Sequence, residues 1–362
     1  MTSTRPVAST GKAASSRLDQ LTSLRFLAAF VVFTVHINYF LPLSWPLSHL
    51  AVGVSFFFVL SGFVLAWSSR ESDTTVAFYR RRFARIYPVY VLAWLGGIAL
   101  TVAEHGARDA KTLLATVLLL QAWVPHHEFY FRINLVAWSL SCEAFFYVCF
   151  PFILRALRRA GPRWRAGVAA GCVVTTCMAV PLVGEHLSSS TTSWFVDVFP
   201  LARLPEFVLG MVIGLAVRDG WRLPVPRVAA GALAIGALAA SYAVPFAFSK
   251  VAVTLVPLAL LIVAASTAEL AGRRGLLITR PLVRLGDWSY AFYMIHTLWF
   301  RALALFVARP SSLVAGFGLA LLVLTASVAT SWAVYAWYEM PLERRLRRPW
   351  GLVPATKAPG TG

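Results

Sequence analysis

Residues 25–36 read RFLAAFVVFTVH, an apolar run with an arginine at one end and a histidine at the other. Apolar runs recur along the chain from residue 21 to residue 338, with short polar breaks between them. An α-helix needs ~20 residues to cross the ~30 Å hydrocarbon core of a membrane, which is about the length of these runs. Because hydrophobic residues make up 59% of the chain and charged residues only 13%, a soluble globular protein is excluded. We predict an all-α, polytopic membrane protein.

The apolar runs predict ten transmembrane helices. They lie near residues 21–41, 51–68, 83–103, 135–155, 165–183, 195–217, 228–247, 250–270, 285–308 and 312–338. With a cytoplasmic N-terminus, most Lys and Arg residues fall on the cytoplasmic side of these helices, as the positive-inside rule requires. This placement accounts for the net charge of +18 without nucleic acid as a partner. We expect a multi-pass protein of the cell membrane, embedded in the lipid bilayer, with both termini cytoplasmic.

One membrane domain accounts for nearly the whole chain. We expect it to cover residues 20–345, between a disordered cytoplasmic tail at 1–19 and a second cytoplasmic tail at 346–362, because both ends are short and polar. Residues 112–124 (TLLATVLLLQAWV) are apolar but short, and a crossing there would move the arginines that follow residue 154 to the outer side. They predict a re-entrant or surface helix.

The four cysteines of the chain fall within apolar spans. They are Cys142, Cys149, Cys172 and Cys177. Such cysteines behave as small buried hydrophobic side chains. We therefore predict no metal site.

Arg25 and His36 share one face of the first predicted helix. Eleven residues at ~100° each complete three turns with ~20° left over, and the axial rise between them is ~16 Å. Arg25 would lie near the cytoplasmic interface, either as an anchor or as part of a site. His36 would lie past the membrane midplane and need a polar partner or a water-filled cavity. A purely structural hydrogen bond is the alternative for His36.

Other polar groups are predicted at a similar depth. Glu143 lies ~12 Å along its span from the external side, and His296 lies ~16 Å along its span from the cytoplasmic side. A carboxylate at mid-membrane is costly unless it is paired or hydrated, so Glu143 indicates a functional site, with a structural ion pair as the alternative. Ser61 and Ser139 add hydroxyls that could serve the site or interhelical packing.

Two arginines precede the third predicted span in YRRRFARIYP. Arg82 and Arg85 are three residues apart and so project from one helix face at the cytoplasmic end. They could serve topology alone, or two guanidinium groups could grip the oxygens of a polyphosphate. With Arg25, they outline a cytoplasmic anion site joined to a mid-membrane acid/base site by a passage that suits an extended thioester arm.

The chain resembles the acyltransferase 3 family of integral membrane O-acyltransferases over residues 18–345. The matching stretches are LTSLRFLAAFVVFTVH, GVSFFFVLSGFVLAW, FYRRRFARIYPVY, WSLSCEAFFY, FVLGMVIG, SYAFYMIH and YEMPLERRL. Arginine, ten residues, then histidine in the first span, followed by R-x-x-R before the third, is a specific pair of signatures in this order. The form WSLSCE also resembles the branch that acylates macrolide-type sugars in antibiotic pathways.

The resemblance implies transfer of an acyl group, commonly acetyl, from cytoplasmic acyl-CoA to a sugar hydroxyl. By the resemblance, His36 is the catalytic histidine and Arg25 its motif partner. Arg82 and Arg85 are the pair linked to CoA, and Glu143 is the acidic residue of the fourth span. Ala144 departs from the pattern, because many members have a second glutamate there. The acceptor implied is the sugar of a glycosylated natural product such as a macrolide, or a cell-envelope glycan.

The mechanistic hypothesis makes His36 the general base on the acceptor hydroxyl, with Glu143 orienting its imidazole and Arg25 holding the donor or offsetting negative charge. A relay in which the histidine carries the acyl group is a variant. A proton-coupled transporter also needs mid-membrane His, Glu and Arg side chains. Because the chain shows no pair of similar halves with matched Gly/Pro-broken spans, we favour the enzyme and keep the transporter as the alternative.

Overall fold

The computed structural model describes residues 17–41, 52–106, 109–183, 186–244 and 251–347. Within these ranges the chain forms helices, turns and connecting segments, and no strand. The predicted all-α class is therefore confirmed for the described part of the chain.

The helices are numbered α1 to α14 in chain order. They are α1 Asp19–His36, α2 Gly53–Ser68, α3 Thr75–Ala103, α4 Ala110–Val117, α5 His127–Phe131, α6 Trp138–Arg159, α7 Pro162–Val183, α8 Ser189–Asp197, α9 Pro200–Arg218, α10 Arg227–Ala240, α11 Leu255–Leu270, α12 Arg280–Ala304, α13 Leu313–Val334 and α14 Met340–Arg347. A π-helical turn at Tyr335–Glu339 joins the last two. Short 3₁₀ turns lie at Ile37–Tyr39, Gln121–Trp123, Ser241–Ala243 and Leu276–Ile278.

Each of the ten predicted spans coincides with a helix, but not all of these helices have the length and composition of a span. Five helical stretches are long and apolar enough to cross a membrane: Thr75–Ala103, Trp138–Arg159, Pro162–Val183, Ser189–Arg218 and Leu313–Arg347. The fourth stretch combines α8 and α9, and the fifth runs from α13 to the end of α14. Three more are apolar but shorter: Gly53–Ser68, Arg227–Ala243 and Leu255–Leu270. The chain is thus a membrane protein, while the count of ten spans stays a prediction.

The helices α1 and α12 belong to neither of these groups. Their polar content is the reason, because α1 carries Arg25 and His36 and α12 carries His296 and Arg301. The two helices that hold His36 and His296 are therefore absent from both groups.

The segment predicted at 112–124 is helical over a shorter range than expected. Helix α4 has eight residues, Ala110–Val117, which at ~1.5 Å each cannot cross a membrane. It ends where Leu119 adopts a left-handed conformation with a φ of 59°. The backbone there cannot continue an α-helix. Whether the segment lies at the surface or re-enters the membrane stays a prediction.

The tails predicted at 1–19 and 346–362 lie mostly outside the described residues. Within those residues, Arg17 forms an ion pair with Asp287 at 2.7 Å. Helix α1 begins at Asp19, and α14 continues to Arg347. The bounds of the membrane domain and of its two tails stay predictions.

Helix α1 begins against a carboxylate from another helix. The backbone N–H groups of Asp19 and Gln20 donate to Glu269 of α11 at 2.7 and 2.8 Å. The first N–H groups of a helix have no acceptor within the helix, and negative charge there complements the helix dipole. Glu269 thus anchors the helix that carries Arg25 and His36.

Close approaches at glycine fix the central helix pairs. A Cβ atom at Gly286 of α12 would overlap the carbonyl oxygen of Thr22 in α1, and one at Gly210 of α9 would overlap that of Val59 in α2. Small residues allow such backbone contact between membrane helices. The resulting interface between α1 and α12 is filled by buried aromatic rings, including Phe33 and Phe292.

Candidate active site

A cavity of about 150 Å³ lies among α1, α2, α3, α6 and α12. Six residues predicted from the sequence line it: Arg25, Ser61, Arg82, Arg85, Ser139 and Glu143. Three tyrosines also line it, at Tyr147, Tyr290 and Tyr293. The structure therefore brings the predicted arginines, the glutamate and both serines to one polar space inside the helix bundle.

Glu143 holds a position between hydroxyl groups and guanidinium groups. Its carboxylate accepts hydrogen bonds from the hydroxyls of Ser61 and Tyr147, and it interacts electrostatically with Arg25 and Arg82. The two hydroxyl oxygens lie 3.5 Å from each other. A buried carboxylate requires such partners. The Glu143 carboxylate can therefore hold the side chains of Arg25 and Arg82 in place at the end of the cavity that they line.

The two histidines form a pair across the interface of α1 and α12. Nδ1 of His36 lies 3.3 Å from Nε2 of His296, and the ring centroids are 5.1 Å apart. Nδ1 of His36 also lies 3.0 Å from the Val32 carbonyl oxygen, and Nδ1 of His296 lies 3.1 Å from that of Phe292. His296 is fully buried.

These contacts assign the tautomers of both rings. A carbonyl oxygen only accepts hydrogen bonds, so the proton of each neutral ring belongs on Nδ1. Nε2 of His296 then carries a lone pair, and the single Nδ1–H of His36 is shared between this nitrogen and the Val32 carbonyl oxygen. The arrangement leaves Nε2 of His36 as an unprotonated nitrogen that can accept a proton.

The expected pairing of Glu143 with His36 is not what the structure shows. Glu143 contacts Ser61 and Tyr147, the partner of His36 is His296, and His36 does not line the cavity. Tyr293 lies between the cavity and the histidine pair, because it lines the cavity and its ring centroid is 6.1 Å from that of His296. Its hydroxyl lies 2.8 Å from Ser139 Oγ. The sequence gives the depth of a residue along its own helix but not which helices are neighbours.

Arg82 and Arg85 have different surroundings although both line the cavity. Nη1 of Arg85 lies 2.6 Å from Glu339 and 3.0 Å from Glu343. Arg82 forms no direct ion pair with a carboxylate in the described part of the chain, although it interacts electrostatically with Glu143, and its Nε atom is buried without a hydrogen bond there. Its guanidinium carbon lies 5.9 Å from the centroid of the Phe78 ring. Glu339 and Glu343 were not among the predicted site residues, and the sequence feature that could have indicated them is their place in YEMPLERRL.

A larger cleft of about 580 Å³ lies beside the cavity. Seven arginines line it: Arg70, Arg81, Arg82, Arg155, Arg158, Arg159 and Arg347. Its acidic residues are Glu71 and Asp73, and the latter pairs with Arg81 at 3.0 Å. Arg82 and Leu65 line both the cleft and the cavity. Sequence analysis assigned the arginines near residue 155 to topology alone and so did not find this basic cleft.

Asn134, in the segment that precedes α6, forms hydrogen bonds with α12 on both sides of His296. Asn134 donates to the Met294 carbonyl oxygen at 2.9 Å and accepts from the Thr297 hydroxyl at 3.1 Å. Further along α12, Arg301 donates to both carboxylate oxygens of Glu104 at 3.0 and 2.7 Å. These contacts fix the segment of α12 that presents His296.

Neither metal ligands nor paired cysteines are found in the described ranges. No group of three or more His, Cys, Asp or Glu side chains there could hold a metal ion. All four cysteines are free, with Cys142 and Cys172 buried and Cys149 and Cys177 partly buried.

The fold and the site define a helical membrane protein with acid/base groups enclosed between its helices. The model of the acyltransferase 3 family, described as an acyltransferase domain, matches residues 18–336, and the chain belongs to this family. It is 36% identical to Acyltransferase MdmB of Streptomyces mycarofaciens over 93% of the chain and 95% of that protein. It is 29% identical to Exopolysaccharide production protein ExoZ of Rhizobium meliloti (strain 1021), over 82% of the chain and 90% of that protein. No solved structure gives a significant match.

Family membership confirms the enzyme predicted from the sequence, an acyltransferase of the membrane. The alternative of a proton-coupled transporter is not favoured by these relatives.

Proposed function

We propose that this protein is an integral membrane O-acyltransferase that moves an acyl group, in the first instance acetyl, from cytoplasmic acyl-CoA to a sugar hydroxyl. The observation that carries the proposal is the contact of 3.3 Å between Nδ1 of His36 and Nε2 of His296, which with the assigned tautomers leaves Nε2 of His36 free to accept a proton. This nitrogen can take a proton from an alcohol, and the histidine pair can stabilise the resulting cation.

The basic cleft supports acyl-CoA as the donor. Its arginines offer many N–H groups to phosphate oxygens, and planar guanidinium groups bind phosphate well. Arg82 connects this cleft to the cavity, so a donor held in the cleft could extend its thioester arm past Arg25. From Arg25 to His36 the helix rises ~16 Å, a distance that an extended pantetheine arm can cover.

In the proposed reaction, Nε2 of His36 accepts the proton of the acceptor hydroxyl as the oxygen attacks the thioester carbonyl. A carbon–oxygen bond forms, the carbon–sulfur bond breaks, and the CoA thiolate leaves and receives the proton from His36. Nε2 of His296 accepts the hydrogen bond from Nδ1–H throughout, as an orienting group does in other acid/base sites. The Arg25 guanidinium offsets the negative charge of the thioester oxygen and of the donor.

The name of one relative, an exopolysaccharide production protein, supports a saccharide as acceptor. We infer a sugar hydroxyl, either on a glycosylated natural product such as a macrolide or on a cell-envelope glycan. The same chemistry acts on both, so the acceptor must be found by assay.

The proposal is tested with the detergent-purified protein, labelled acetyl-CoA and two acceptor sets, macrolide glycosides and envelope oligosaccharides. Wild type should release CoA and transfer the label to one set. His36→Ala should lower turnover by at least ~10²-fold, the usual contribution of a general base. His186→Ala is the matched control, because His186 is exposed and lies outside the cavity. Near-normal turnover by His36→Ala, or proton flux without consumption of acetyl-CoA, would overturn the proposal.

A further inference from the structure

An aromatic pair lies at the end of the cavity that is nearest to the histidines. The ring centroids of Phe57 in α2 and Tyr293 in α12 are 5.5 Å apart in a T-shaped arrangement, and both side chains line the cavity. His296 follows Tyr293 by one helical turn, and the centroids of these two rings are 6.1 Å apart. The aromatic pair therefore lies between the cavity and the histidine contact.

The direction of α1 and α12 identifies this end of the cavity. Gly286 contacts Thr22 near the start of both helices, and His296 contacts His36 further along both, so the two helices run parallel. Of the α12 residues that line the cavity, Tyr293 is the last before His296. A group that moves through the cavity toward the histidines thus meets Tyr293 at the end of its path.

Helix α2 gives the same direction independently. Leu65 lines both the basic cleft and the cavity, and so marks the end of the cavity next to the cleft. Phe57 precedes Leu65 by eight residues, a rise of ~12 Å along the helix. In the proposed function the donor enters from the cleft, and its acyl group is the terminal part of the thioester arm. The acyl group is therefore the part of the donor that arrives beside Phe57 and Tyr293.

The two rings of the pair are held by different contacts. The Tyr293 hydroxyl lies 2.8 Å from Ser139 Oγ and donates to the Val136 carbonyl oxygen at 3.4 Å. These hydrogen bonds anchor the Tyr293 ring to the start of α6 and to the residues before it. Phe57 is only partly buried and has no polar side-chain atom to fix its ring. The size of the Phe57 side chain therefore sets the space that is left beside Tyr293.

We propose that Phe57, packed against the anchored ring of Tyr293, selects the donor by the length of its acyl chain and accepts short chains such as acetyl. This inference rests on the proposed function, because it assumes a thioester donor that enters from the basic cleft. Val54 and Leu140 add apolar surface to the cavity lining, which suits a methyl group. A longer chain has to displace the Phe57 ring, and forced repacking of closely packed side chains is unfavourable.

The test compares kcat/KM for acetyl-CoA and hexanoyl-CoA, using the detergent-purified protein and the acceptor that wild type acylates. Wild type should prefer acetyl-CoA by at least ~10²-fold, because one methylene group in a close-fitting pocket changes kcat/KM by about 10–200-fold. Phe57→Ala should lower this preference at least tenfold, through a higher kcat/KM for hexanoyl-CoA. Val64→Ala is the matched control, since Val64 lines the cavity from the same helix but lies next to Leu65. It should leave the preference within twofold of wild type.

A larger side chain at the same position should act in the opposite direction. Phe57→Trp should lower kcat/KM for butanoyl-CoA at least tenfold, while that for acetyl-CoA falls less than threefold. Phe57→Leu should give a preference between those of wild type and Phe57→Ala, and it decides the test if Phe57→Ala does not fold. An unchanged preference in folded Phe57→Leu, or an equal shift in Val64→Ala, would overturn the inference.

Failure of the proposed function would give a different result. In that case wild type itself would consume no acyl-CoA of any chain length. Failure of the inference alone leaves an active wild type that uses acetyl-CoA and hexanoyl-CoA equally well, or one whose preference does not change with the size of the side chain at Phe57.

Discussion

His36 and His296 contact each other across the interface of α1 and α12, with Nδ1 of the first 3.3 Å from Nε2 of the second. The Phe292 carbonyl oxygen, 3.1 Å from Nδ1 of His296, fixes the tautomer that makes Nε2 an acceptor. In the proposed reaction, His296 therefore affects Nε2 of His36 only through the His36 ring and serves as a positioning residue.

Replacement of His296 by phenylalanine should lower kcat by about 10–100-fold with little change in KM for acetyl-CoA. The ring shape is retained, but Nδ1–H of His36 keeps only the Val32 carbonyl oxygen as an acceptor and loses the one on His296, and a hydrogen bond to a charged group is worth roughly 1.5–3 kcal/mol. Steady-state kinetics of the purified variant measure this. His296→Gln, which keeps a hydrogen-bond acceptor, should recover part of the loss. A kcat for His296→Phe within twofold of wild type would show that His296 does not orient His36.

Replacement of Glu143 by glutamine should lower kcat/KM at least tenfold while the protein stays folded. The amide can keep hydrogen bonds to Ser61 and Tyr147, but Arg25 and Arg82 lose the negative charge that compensates their positive charges. Ser61→Ala is the comparison, because it removes one hydrogen bond and no charge. We expect about a fivefold loss there, equal to roughly 1 kcal/mol. Equal effects of the two substitutions on kcat/KM would mean that the charge of Glu143 has no role.

Replacement of Gly286 by alanine should lower both thermal stability and kcat. The new Cβ overlaps the Thr22 carbonyl oxygen, so α12 must move away from α1 and His296 from His36. Overpacking of this kind costs about 1–3 kcal/mol. Gly318→Ala in α13 is the matched control, since no atom lies within 4 Å of the Cβ position there. Melting curves and kcat in the same detergent compare the two, and equal melting temperatures would contradict the close contact.

The sequence predicts the helices and the polar positions better than their partners. Helical periodicity places Arg25 and His36 on one face, and depth along the spans brings His296 level with His36. It cannot show that Glu143 on α6 contacts Ser61 rather than His36, because that contact depends on which helices pack together. Glu339 could not be predicted for another reason: it is buried by a π-helical turn, and the sequence of that turn, YAWYE, has no pattern that indicates a π-helix. The basic cleft could not be predicted because the positive-inside rule already accounts for arginines at the cytoplasmic ends of helices.

The polar side chains within α1 and α12 have a consequence for how the protein is made. A segment with buried arginine and histidine side chains partitions poorly from the translocon into lipid on its own. Because α1 is synthesised before every other described helix, its stable insertion depends on helices that follow it, whereas α12 can pack against helices already in the bilayer. The histidine pair can form only after α12 has been synthesised, so a chain that ends before α12 lacks the contact between His36 and His296.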